Sequence, residues 1–109
     1  MNNLPYEGAE RRTFFRIIYP SSPRPTLIVG NHEFDIADIS EGGIRFVNTE
    51  KIKLDKSVRG KVQFLHGKSL DIEATTMWEQ DDEVGLLLKN YISPDTMEIE
   101  KQHVILISL

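Results

Sequence analysis

At 109 residues the chain has room for one domain with a modest core and not for two. It has no cysteine, which excludes disulfides, a thiol nucleophile and a cysteine-ligated metal, and its 39% hydrophobic and 28% charged residues match an ordinary soluble fold. A formal net charge of −4 argues against bulk electrostatic binding to DNA, RNA or anionic lipid, so an anionic partner has to be small enough for a local cluster of cations to hold.

Residues 1–12 carry Asn, Pro, Glu and Gly with little apolar periodicity and read as a flexible arm ending in Arg11 and Arg12. The arm lacks the basic and then apolar blocks of a signal peptide. The most apolar run, VILISL (104–109), is far shorter than the roughly 18 residues of a membrane span. A cytoplasmic protein with no membrane span is expected.

Residues 13–109 read as the folded domain. FFRIIY (14–19) is apolar and β-branched, and the turn-rich PSSPRP follows it. TLIV and HEFDIADI flank Gly30-Asn31, a hairpin signal. GIRFVNT (43–49) comes after SEGG. SVRGKVQFL (57–65) puts Val58, Val62 and Phe64 on one face and Arg59, Lys61 and Gln63 on the other. His66-Gly67 suits a tight turn. SLDIEATTMW (69–78) alternates in the same way, and VGLLLK (84–89) follows the acidic EQDDE. About six strands at short spacing, alternating with period two, predict an antiparallel barrel or sandwich.

The tail reads differently. Ser93 can cap a helix, Pro94 suits its first position and Asp95 favours the positive end of the dipole. These signals predict a helix over about 94–105. Ile92, Ile99 and Leu106 fall on one face, together with Thr96 and His103. VILISL is also compatible with a strand.

One strand breaks its own pattern. In HEFDIADIS, Phe34 and Ile36 alternate as core residues, then Asp38 and Ser40 take that parity while Ala37 and Ile39 become the apolar pair. The strand either ends there or bulges, which puts Asp38 and Ser40 at a barrel edge, facing the same way.

Two polar groups therefore stand out: Arg11, Arg12 and Arg16, and the run Asp38-Ile39-Ser40-Glu41-Gly42-Gly43. Each alone has an ordinary reading, as a solvated charged face and as turn residues. Together they resemble the two signatures of the PilZ family, bacterial receptors for cyclic di-GMP. Arg12-Thr13-Phe14-Phe15-Arg16 matches RxxxR, and Asp38, Ser40 and Gly43 match [D/N]xSxxG, with residues 17–37 between them. TTMWEQDDEVGLLL (75–88) resembles the family's tryptophan-ended strand, turn and VG strand. The resemblance implies a mainly β fold: a six-stranded antiparallel barrel of the split-barrel type with a short C-terminal helix.

It also implies a ligand site of Arg11, Arg12, Arg16, Asp38, Ser40 and Gly43. Arginine forks match phosphate oxygens and the O6/N7 edge of guanine. A carboxylate can accept from guanine N1–H and N2–H. Ser40 can donate or accept, and Gly43 lets backbone approach closely. An arginine at position 11 resembles the family members that take two ligands per chain. Like charges at 11, 12 and 16 favour a loose arm that folds over ligand and signals to a downstream protein, which the sequence does not identify. Arg45 reads as a ligand contact or plain surface, and Trp78 as core or barrel lining, or as a guanine-stacking residue at the rim. Arg24, between prolines, reads as loop.

His32, His66 and His103 have no metal-ligand spacing, and Ser40 lacks the glycine two residues before it that a nucleophile elbow needs. A non-enzymatic receptor without cofactor or metal is expected, monomeric or homodimeric. The alternatives are a module of the same fold that binds proteins and no nucleotide, a small single-stranded nucleic-acid-binding barrel, or a small hydrolase.

Overall fold

The computed structural model describes residues 15–109. The arm expected over 1–12, with Arg11 and Arg12, lies outside them. Seven strands and one helix form among the described residues: β1 Ile17–Ile18, β2 Thr26–Val29, β3 His32–Ile39, β4 Gly43–Val47, β5 Ser57–Gln63, β6 Ser69–Gln80, β7 Glu83–Leu88 and α1 Pro94–Ile107.

Six of the strands close a barrel. All pairings are antiparallel, in the order β3-β2-β5-β6-β7-β4, with β4 returning to β3. β1 lies outside this ring. Of the described residues of FFRIIY, Ile17 and Ile18 become strand, pairing with Ile39 and Asp38. Because Asp38 and Ile39 also pair with Arg45 and Ile44, the end of β3 has a strand on each edge. Gly30 makes the tight β2–β3 turn by taking φ of 60°, a left-handed conformation that costs glycine little.

The expected alternation fills the barrel. Leu27, Ile36, Phe46 and Val62 are fully buried, with Phe34 packed on Phe46 at a ring separation of 4.9 Å. Burial of each such side chain stabilises the fold by about 1.5–3 kcal/mol.

The helix starts where the sequence predicts. Ser93 Oγ accepts from Thr96 N–H at 3.1 Å, with Pro94 in the first turn. It runs to Ile107, two residues past the expected 105, so most of VILISL is helical rather than a strand. Ile92 is buried ahead of the helix, whereas Ile99 and Leu106 are exposed; the buried helical residues are Thr96, Met97 and Glu100. Two of these are polar. They are buried because the barrel supplies partners: Lys68 Nζ donates to Thr96 Oγ1, and Glu100 takes several bonds from β1's exit and the β5–β6 turn. No helix among the described residues is long and apolar enough to cross a membrane.

Candidate ligand-binding site

The break in HEFDIADIS is a β-bulge. Ile36 pairs with Phe46 and Asp38 with Arg45, leaving Ala37 as the extra residue. Ile36, Ala37, Asp38 and Ile39 are consequently buried in succession. Asp38 is only 4% exposed, directly across from Arg45.

An aspartate so buried needs partners. Arg16, one residue before β1, donates from Nη1 to Asp38 Oδ1 at 2.5 Å. Arg45 donates from Nε to Oδ2 at 2.5 Å. Arg45 then reaches Glu83 at the start of β7, with Nη1 at 2.8 and 2.7 Å from the two carboxylate oxygens. The bonds to Asp38 and, next, Glu83 push the Arg45 guanidinium above its ordinary pKa, so it stays charged. The Arg16 side chain is half exposed, at 51%, and the rest of its fork remains accessible.

Ser40 and Gly43 shape the neighbouring turn. Ser40 N–H donates to Gly43 C=O at 2.9 Å. A Cβ on Gly43 would sit 3.2 Å from Leu86 C=O and 3.7 Å from Ser40 Oγ, so glycine lets β4 close on β7 while leaving room at the hydroxyl. The carbonyls of Glu41 and Gly42 accept from Ile92 and Leu88 N–H, tying the turn to the lead-in of α1.

Beside this turn lies a pocket of about 230 Å³, with Arg16, Ser40 and Gly43 on one side and Met77, Trp78, Leu87 and Tyr91 on the other. A second bulge aims the apolar side. Thr76 pairs with Leu86 and Trp78 with Gly85, so Met77 is the extra residue of β6. Trp78 is 42% exposed and lines the rim; it is not core. Its indole lies across Gly85, where a Cβ would meet Nε1 at 2.1 Å. Gly85→Ala is therefore expected to push the ring off β7. The fluorescence of Trp78, the chain's one tryptophan, should shift, and stability should fall by about 1–3 kcal/mol. An unchanged emission spectrum would contradict this packing.

A larger cavity, about 390 Å³, lies between the β2–β3 turn and the loop after β4. Its lining carries Glu33, Asp35 and Glu50 and neither Lys nor Arg, which makes it repellent to anions. The smaller pocket combines an accessible guanidinium, a hydroxyl, close-set backbone and an aromatic wall. That set suits a ligand with both anionic groups and a flat ring system.

The structure thus brings together Arg16, Asp38, Ser40 and Gly43, with Trp78 beside them and Arg45 behind Asp38. Arg24 belongs to its loop, donating to Pro20 C=O. Glu83 and Gly85 were not foreseen as site residues. Glu83 is one of four acids in EQDDE, and composition does not distinguish it from the others. Gly85 had a signal in the VG that follows the tryptophan strand. Among the described residues no cluster of three or more His, Asp or Glu side chains is arranged to hold a metal ion.

Comparison with known proteins agrees in fold. The family model described as PilZ domain matches residues 10–105. The crystal structure of Lpg0364, an uncharacterized Legionella protein, superposes with a TM-score of 0.59 at 17% identity, covering 86% of this chain and 90% of that one. Identity that low speaks to fold alone. No curated protein matches the sequence.

Proposed function

The chain belongs to the PilZ domain family of binding modules, and on that premise we propose that it is a receptor that binds cyclic di-GMP at the pocket beside Arg16 and signals to a protein partner. The observation that carries this reading is the convergence of two distant motifs. Arg16 of RxxxR meets Asp38 of the second motif, with Ser40 and Gly43 on the same pocket and Trp78 facing them.

Each part has a chemical task. The accessible fork of Arg16 pairs with a phosphate or with guanine O6 and N7. Trp78, held flat over Gly85, offers a face for a purine, and such stacking contributes about 1–3 kcal/mol per base. Ser40 and the turn amides accept and donate at the ligand's edge. Asp38 has a different task from direct base reading. It is buried, with both oxygens engaged by arginines, so it orients Arg16 and Arg45. Arg11 and Arg12 supply further cations from the arm, which orders over the ligand and presents a new surface.

Titration calorimetry with cyclic di-GMP tests this reading. Binding with two molecules per chain is the expected result; a one-to-one ratio would remove the role given to Arg11. No heat and no change in Trp78 fluorescence at high ligand would leave a protein-binding module of the same fold. Hydrogen exchange of residues 1–16 that slows with ligand supports the ordered arm, and unchanged exchange refutes it.

A further inference from the structure

The two arginines on Asp38 are held differently. Among the described residues Arg16 has one carboxylate and is half exposed, whereas Arg45 is shared between Asp38 and both oxygens of Glu83. Among the described residues at this corner, two cations face two carboxylates, so the corner carries no net positive charge toward an anion. Arg45 is nonetheless close to the ligand pocket. Its Nε and the Arg16 Nη1 bind opposite oxygens of one carboxyl group, and across β4–β7 it pairs with Gly85, the residue under Trp78. Its bond to Glu83 is solvent-accessible, with the Arg45 side chain 31% and Glu83 36% exposed. Ion pairs of that exposure contribute little to stability, so a ligand group can replace one at little cost.

We infer that Glu83 is an internal competitor for Arg45, holding its guanidinium back from the pocket and so setting how tightly the site takes an anionic ligand. The inference rests on the reading that this pocket binds cyclic di-GMP. With Asp38 as the pivot, Arg45 can turn its Nη groups from Glu83 toward a phosphate or a guanine edge beside Arg16. Both acceptors have the planar or multi-oxygen geometry that Glu83 offers. The ligand must therefore displace a carboxylate before it gains this second fork. Glu83→Gln keeps the size of the side chain and one acceptor, and removes the charge and the paired-oxygen clamp.

The experiment is calorimetric titration of the full chain with cyclic di-GMP, for the wild type, E83Q, the double variant E83Q/R45A, and E79Q as a control. Glu79 is an exposed acid of β6. Binding about tenfold tighter in E83Q, lost again in E83Q/R45A and absent in E79Q, is the expected result. Wild-type binding with no tightening in E83Q overturns the inference and leaves the functional reading standing, as does equal tightening in E79Q, which would reflect bulk charge. Tightening that persists in E83Q/R45A also overturns it, because Arg45 would not be the group released. Absence of binding in wild type and E83Q alike overturns the functional reading itself. Thermal melts of each variant confirm that the barrel is intact.

Discussion

Replacing Arg16 with alanine should weaken cyclic di-GMP binding about 30- to 150-fold while lowering stability only modestly. The two effects separate because Asp38 has a second arginine partner in Arg45. Removing Arg16 leaves Oδ2 bonded to Arg45, so the buried carboxylate keeps a charged neighbour. The lost pair joins a half-exposed arginine to a buried carboxylate that keeps Arg45, so its loss costs about 1–2 kcal/mol. The melting temperature should fall by about 4–8 °C per kcal/mol lost, with the barrel still folded at room temperature. On the ligand side, the variant loses a charge-assisted fork, which contributes about 2–3 kcal/mol. Arg16→Lys keeps the charge and loses the parallel donors, so it should fall between the two. Calorimetry paired with thermal melts checks the separation. Wild-type affinity in a folded Arg16→Ala protein would remove the pocket beside Ser40 from consideration. Asp38→Ala should behave differently, since it releases both arginines at once and leaves the bulge without the polar contact that β1 and β4 share there.

The parts of this molecule that could be read from its sequence are those fixed by local chemistry. Gly30-Asn31 makes its turn because the chain needs a left-handed residue there. Ser93-Pro94-Asp95 starts its helix through a hydroxyl, a preset φ and a charge. The parity slip at Ala37 is visible because a bulge exchanges the inward and outward positions of every later residue in the strand. Arg16 and Asp38 were legible only as members of two motifs, and the bond between them depends on β1 adding to the outer edge of β3. Contacts made across the barrel escaped the reading. Nothing local distinguishes Glu83 from Asp81 or Asp82; what selects it is its place two residues from Gly85, on the diagonal from Arg45. Which face of the helix turns inward was open for the same reason. Ile99 and Leu106 share a face with Thr96 and His103, and of these Thr96 is buried, as is Glu100, because distant strands supply their partners.

Glu100 is where the largest loss of stability should appear. Its side chain is fully buried. Tyr19 Oη donates to Oε2 at 2.7 Å, and the Leu65 and His66 amides donate at 3.2 and 3.1 Å. His66 Nδ1 lies 2.6 Å from Oε1. Glu100→Ala removes the acceptor for all of these groups together and opens a cavity. Unsatisfied buried donors cost about 1–3 kcal/mol each, so with four affected a total of about 4 kcal/mol or more is expected, a large share of a small domain's stability. Tyr19→Phe removes one donor and should cost about 1–2 kcal/mol. Burial, and then the bond to Glu100, push the Tyr19 phenol well above its usual range, so it remains a donor at neutral pH. The sign of the pH dependence follows. With the folded pKa above the unfolded value of about 10, the contribution is complete below pH ~10 and is lost as pH rises beyond it. Urea melts at neutral and alkaline pH should show this loss in wild type and a smaller one in Tyr19→Phe. Glu100 also bears on the ligand site through the chain next to it. Tyr19 ends the segment that begins at Phe15, and Lys101 Nζ lies 5.2 Å from the Phe15 ring centre, so residues 15–19 are held against α1 at both ends with Arg16 between them. A Glu100→Ala protein kept folded at low temperature should therefore bind cyclic di-GMP more weakly than wild type, although residue 100 is absent from the pocket lining. Equal affinity would show that β3 alone positions Arg16.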